Sequence, residues 1–146
     1  MAAKATIANI TDLGFQPAQL NTPTDWDTPD TGYLARILNR ISVVVSDVVG
    51  ATVYAGAYGV QLEYLKTAEE QFVAAELWRR LEANERSLLA VNGGKEGSET
   101  IGSRKVKNAE DAEALAWKYL SKITGEDYSS GFSTGSVSSG TFAETA

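Results

Sequence analysis

Residues 67–91 read TAEEQFVAAELWRRLEANERSLLAV, and this stretch decides the fold class. Phe72, Val73, Ala75, Leu77, Trp78, Leu81 and Leu88 recur at three- and four-residue steps, the period of a helix with one apolar face. Thr67-Ala68-Glu69-Glu70 matches a capping box, in which the Thr67 hydroxyl and the Glu70 carboxylate satisfy each other's backbone N–H groups. Leu62 and Leu65 keep the same spacing, so the alternative start lies near Gln61, with Thr67 inside the helix. Either start gives a helix of ~25–30 residues, roughly 40 Å long at 1.5 Å per residue. Asn92-Gly93-Gly94 ends it.

Working back toward the N-terminus, Thr28-Pro29-Asp30 reads as a second helix start. Threonine caps, and proline at the first helical position gives up an N–H that had no partner. Leu34, Ile37, Leu38, Ile41, Val44, Val45 and Val48 then form a helical stripe that Gly50 closes. The valine and isoleucine run also suits a strand, but the cap and the spacing decide for helix. Residues 51–60, ATVYAGAYGV, read as a connection in which Tyr54 and Tyr58 pack into the core. Residues 1–27 carry Ile7, Ile10, Leu13 and Phe15 without a helical period, punctuated by Gly14, Pro17 and Pro23. They read as an extended arm with a short strand near Thr6–Ile10, either loosely packed or docked on a neighbour.

Toward the C-terminus, residues 93–104, GGKEGSETIGSR, read as a mobile loop or hairpin tip. A last helix is expected from an Asn108 cap, with Glu110 and Asp111 in its first turn, where the helix dipole favours negative charge. Ala112, Leu115, Ala116, Tyr119, Leu120 and Ile123 supply its buried stripe, and Gly125 stops it. From Ser129 to Thr141, 11 of 13 residues are Ser, Gly or Thr. Such a tract does not offset its ordering entropy by local burial. It is expected to lie along another chain, with Tyr128, Phe132, Val137 and Phe142 as the partner-binding anchors.

The expected fold is thus all-α: a small helical bundle with one long helix. An extended N-terminal arm covers residues 1–27, the helical domain 28–124, and an extended Ser/Gly-rich tail 125–146.

Composition narrows the function. The 146 residues carry a net charge of −6, with 43% apolar and 22% charged residues. An acidic surface repels phosphate, which argues against specific nucleic-acid binding. The chain has no cysteine and no histidine, so thiolate nucleophiles, thiolate-bound zinc and the commonest general base are all missing. No run approaches the ~20 apolar residues of a membrane span, and the N-terminus lacks the pattern of a signal peptide. The protein is expected to be made in the cytoplasm.

The remaining motifs favour structure over chemistry. The Gly93-Gly94 and Gly97 loop lacks the lysine and hydroxyl pattern of a phosphate-binding loop. Glu69-Glu70 and Glu110-Asp111 read as first-turn helix acids. Asp25, Asp27 and Asp30 alternate like a loop metal site but lack the glycine and terminal glutamate of a calcium loop. Arg79, Arg80 and Arg86 are expected to form salt bridges with Glu76, Glu82 and Glu85. No catalytic, metal or cofactor residue is assigned, and the chain is expected not to be an enzyme.

The element order carries a resemblance. A capped helix ends in small residues; a long helix of the type AEEQFVAAELWRRLEA follows, then a glycine-rich loop, the helix NAEDAEALAWKYLSKI and a polar tail. Over residues 28–124 this resembles the head–tail connector, or adaptor, proteins of tailed bacteriophages. The resemblance implies a homo-oligomeric ring, typically of about twelve copies. Its partners would be the portal protein and tail or neck proteins, at the head–tail junction of a virion. DNA would pass through the ring without specific recognition. The long N-terminal arm departs from that pattern. A tail-completion or head-decoration protein is the alternative within the same setting, and a cytoplasmic helical binding or regulatory protein the alternative outside it.

Overall fold

The computed structural model describes residues 3–20, 25–92 and 96–125, with side chains described except at 18–19, 85–92 and 96–103. Five α-helices lie among them: α1 (Ile7–Thr11), α2 (Tyr33–Val49), α3 (Ala51–Gly56), α4 (Gly59–Asn92) and α5 (Glu96–Thr124), with a 3-10 turn at Pro17–Leu20. The fold is the expected all-α bundle. Its spine is the pairing of α4 with α5, against which α2 and the N-terminal segment pack.

Helix α4 has 34 residues and spans about 50 Å. The earlier of the two expected starts is the closer one, and Thr67 lies inside the helix. Its partner α5 presents Ala109, Ala112, Ala116 and Leu120 as a narrow buried stripe. Alanines at three of these four positions let the two helix backbones approach closely. The register is antiparallel. Arg79 faces Glu113 through two hydrogen bonds of 3.0 and 3.1 Å, the Phe72 ring meets Trp117 edge-on, and Tyr64 lies against Tyr119.

Two apolar clusters fill the space between the helices. One joins Ile10, Phe15, Leu20 and Trp26 from the N-terminal segment to Leu34, Leu38, Leu77, Leu81 and Ala109. The other joins Val45, Val49, Tyr54, Leu65, Ala68, Ala116 and Leu120. Ile41 packs against both.

Several sequence expectations are corrected. Residues 3–20 are not an extended arm: α1 stands where a strand was expected, and Ala5, Ile10, Phe15 and Leu20 are buried in the bundle's own core. The local cause is a capping box. Thr6 Oγ1 accepts from the Asn9 N–H at 3.2 Å, and Asn9 Oδ1 accepts from the Thr6 N–H at 2.9 Å.

Helix α2 starts at Tyr33, five residues after Thr28. A turn built from residues 25–32 does the capping, because the N–H groups of Tyr33 and Leu34 donate to the carbonyls of Asp25 and Trp26, both at 3.1 Å. The α2 stripe is also rotated: Val44 is exposed, while Ser42 and Ser46 are buried in its stead. Burial of Ser42 is tolerable because its hydroxyl donates to the Asn39 carbonyl at 2.8 Å.

The connection at 51–60 contains the short helix α3. There Tyr54 is buried as expected, whereas Tyr58 faces outward. Finally, most of the expected glycine-rich loop is helix, since α5 already runs from Glu96 and Asn108 is interior. Glycine costs about 1 kcal/mol per helical position, and extending an existing helix needs no new nucleation. Gly97 and Gly102 therefore do not stop it.

Candidate functional site

Two features of the bundle stand out, one inside and one on the surface. The inner one is centred on Glu69, which is 0% exposed in the middle of α4. Its Oε1 accepts hydrogen bonds from the backbone N–H groups of Lys4 and Ala5, both at 2.8 Å. Its Oε2 accepts from the Tyr54 hydroxyl. The Lys4 ammonium lies 5.0 Å from the centre of the Tyr54 ring. One carboxylate thus ties the start of the chain, α3 and α4 together.

Burial pushes the Glu69 carboxyl above the ordinary carboxylate range, and its hydrogen bonds with Tyr54, Ala5 and Lys4 pull it partly back. Burial, with the Glu69 hydrogen bond and charge, also raises the Tyr54 hydroxyl. With Glu69, Tyr54 and Ala5 all buried, this cluster is a fastening. The sequence reading of Glu69 as a first-turn acid missed it, because its partners lie 64 and 65 residues away. Only a glutamate on the apolar side of α4, directly after Ala68, hinted at it.

The outer feature is a set of exposed apolar side chains. Val43 and Val44 on α2, Val53 on α3, and Tyr58 and Val60 at the start of α4 are all exposed, Tyr58 at 81% and Val60 at 64%. Between Ile41 and Leu62 the sequence has a single charged residue, Asp47. Aromatic side chains with few charges mark the cores of protein interfaces. Val44 and Tyr58, expected inside from the sequence, thus face outward. Helical spacing does not distinguish a stripe facing the core from one facing a partner.

The arginines lie elsewhere. Arg80 Nε pairs with Glu76 Oε2 at 2.8 Å as expected, and Arg80 Nη1 also donates to the Tyr33 hydroxyl at 2.9 Å. Arg79 pairs with Glu113 of α5, a partner the sequence did not suggest. The side chains of Arg86 and Glu85 fall outside the described residues. A groove of about 340 Å³ runs beside Leu13, Phe15, Trp78, Ala112 and Leu115, where the N-terminal segment crosses α4 and α5.

In the acidic turn, Asp25 Oδ2 lies 3.4 Å from Arg36 Nη1. Among the described residues no group of three or more acidic, histidine or cysteine side chains is arranged to hold a metal ion. No described helix is long and apolar enough to cross a membrane. The expected anchors Tyr128, Phe132, Val137 and Phe142 lie outside the described residues. Compared with known proteins, the chain matches no family model, no curated protein and no solved structure.

Proposed function

We propose that this chain is a structural subunit that works by assembling with copies of itself and with other proteins, as a head–tail connector of a tailed-bacteriophage virion. The observation that carries assembly is the exposed surface of Val43, Val44, Val53, Tyr58 and Val60, with Asp47 as the one charge across its stretch of sequence. Apolar side chains held in water on a rigid bundle gain free energy when a partner covers them, about 25 cal/mol per Å². The finer identification rests on the resemblance in element order. It gives a ring of about twelve copies between portal and tail, with the portal and neck proteins as partners and DNA passing through the centre. In this reading the chain performs no catalysis. The tail anchors Tyr128, Phe132, Val137 and Phe142 reach onto a partner once the ring forms.

Mass measurement of the purified chain, alone and mixed with a phage portal protein, tests both levels. A defined complex with the portal supports the connector reading. Monomers at all concentrations with no portal complex overturn it and favour a helical binding or regulatory protein. Self-association without portal binding keeps the structural role and removes the connector.

A further inference from the structure

The two apolar clusters end at Leu81 on α4 and Ala109 on α5, and no described residue between these two belongs to either. Arg104, Val106 and Lys107 are exposed and Lys105 is half-buried, four consecutive positions that together go round the helix. No third element therefore closes over α5 at this level. Residues 82–107 stand beyond the rest of the bundle as a two-helix arm, about 16 Å long on its α4 side from Glu82 to Asn92.

Charge sets the arm apart. Residues 82–107 hold five basic residues and four acidic ones, a net charge of +1, and against the chain's total of −6 this leaves −7 on the remainder. Lys107 meets Asp111 only at 3.8 Å, with the two side chains 75% and 67% exposed, a pair that water screens. The complementary surface is the outer face of α2. Val43 and Val44 are exposed there, and Asp47, one helical turn on, is exposed beside them.

One molecule does not bring arm and face together. Leu34 and Leu38 share a cluster with Leu77, Leu81 and Ala109, whereas Val45 and Val49 share the other with Leu65, Ala68 and Leu120. Helix α2 thus runs antiparallel to α4, and its C-terminal half lies roughly 20 Å along α4 from the base of the arm. The arm points the other way.

We propose that the arm of one copy docks on the outer face of α2 of the next, with Val106 against Val43 and Val44, and Arg104 and Lys107 beside Asp47. This rests on the assembly reading and names its contact. Arm and face are different surfaces, so the contact is head-to-tail. Each copy gives one arm and receives another, and the copies close into a ring where the rotation between them permits. Apolar burial holds the contact. The opposite charges fix its register and disfavour pairing of face with face, in which two Asp47 carboxylates would meet.

Two variants divide the contact. Val44→Lys with Asp47→Lys makes the face basic, and Arg104→Glu with Lys107→Glu makes the arm acidic. All four positions are exposed, and circular dichroism should show the parent's helicity in both. Sedimentation over a concentration series should find each variant alone associating about tenfold more weakly than the parent, or worse, because like charges then face each other. An equimolar mixture should regain the parent's association, since each arm meets a face of opposite charge on the other variant.

Parent-like association of either variant alone overturns this contact and leaves the assembly reading standing. A mixture that stays as weak as its components does the same. A parent chain that stays monomeric at every concentration overturns both.

Discussion

Tyr54 on α3 donates its hydroxyl hydrogen bond to Oε2 of Glu69 on α4, while Oε1 of the same carboxylate holds the Lys4 and Ala5 amides. Removing Glu69 strands three donors at once, those of Tyr54 and Ala5 buried and that of Lys4 half-buried. Each buried donor left unsatisfied costs about 1–3 kcal/mol, so Glu69→Ala is expected to destabilise the fold by about 3–5 kcal/mol. Tyr54→Phe removes one of the three bonds and should cost about 1–2 kcal/mol. Denaturant unfolding measures both, and limited proteolysis should cut the N-terminal segment earlier in Glu69→Ala than in the parent. Equal stability of Glu69→Ala and the parent would show that the carboxylate fastens nothing.

The same carboxylate sets a pH dependence. Burial raises Glu69, and burial together with Glu63 and Asp12 raises Glu70, so the folded chain keeps protons that the unfolded chain releases. The contribution of these groups to stability therefore falls as pH rises from the ordinary glutamate value of about 4.3 through their raised folded values, and is constant above them. Thermal unfolding across this range should show the decline, and Glu69→Gln should make it shallower. An unchanged slope in that variant would assign the dependence to other groups.

Val43 and Val45 lie two residues apart on α2 with opposite fates. Val45 is 0% exposed and Val43 is 59% exposed. Val45→Asp buries an unpaired charge and should cost several kcal/mol, enough to unfold or precipitate the chain. Val43→Asp should stay within about 0.5 kcal/mol of the parent in the monomer and weaken self-association. Sedimentation of the two variants separates these outcomes, and undiminished association of Val43→Asp would take α2's outer face out of the interface.

Gly32 is tested by a single methyl. A Cβ there would fall 2.4 Å from the Asp25 carbonyl oxygen and 2.5 Å from that of Thr28, both backbone atoms with little freedom to move. Gly32→Ala should therefore cost about 2 kcal/mol or more by shifting the turn that caps α2. The stacked Trp26 and Tyr33 rings, 5.3 Å apart across this turn, supply a near-ultraviolet circular-dichroism signal that should weaken with it.

The Arg79–Glu113 pair joins α4 to α5 through two hydrogen bonds, with the two side chains 44% and 40% exposed. Water and salt screen such a pair, so Arg79→Ala should cost no more than about 1 kcal/mol. A double-mutant cycle with Glu113→Ala measures the coupling, which should shrink as salt is added.

What the sequence determined by itself was local. The spacing of Phe72, Val73, Leu77, Trp78 and Leu81 is a property of one helix, and it specified α4 and the all-α class before any contact was known. Gly50 and Gly125, both at positive φ, marked helix ends for the same reason, since a backbone conformation that favours glycine leaves its trace at a single position.

The tertiary structure decided everything that depends on distant partners. Residues 3–20 pack into the core because α2, α4 and α5 offer Ile10, Phe15 and Leu20 an apolar cleft, which no local pattern among them encodes. Thr28 and Asn108 looked like caps, yet α2 is capped by the carbonyls of Asp25 and Trp26, and α5 extends back to Glu96. Glu69 had the composition of a helix-start acid, and two amides near the beginning of the chain made it a fastening. Val44 and Tyr58 had the composition of core, and the packing of α2 and α3 left them facing outward. Periodicity reports that a helix has an apolar face, whereas only the assembled bundle determines whether that face meets its own core or is left for another surface to cover.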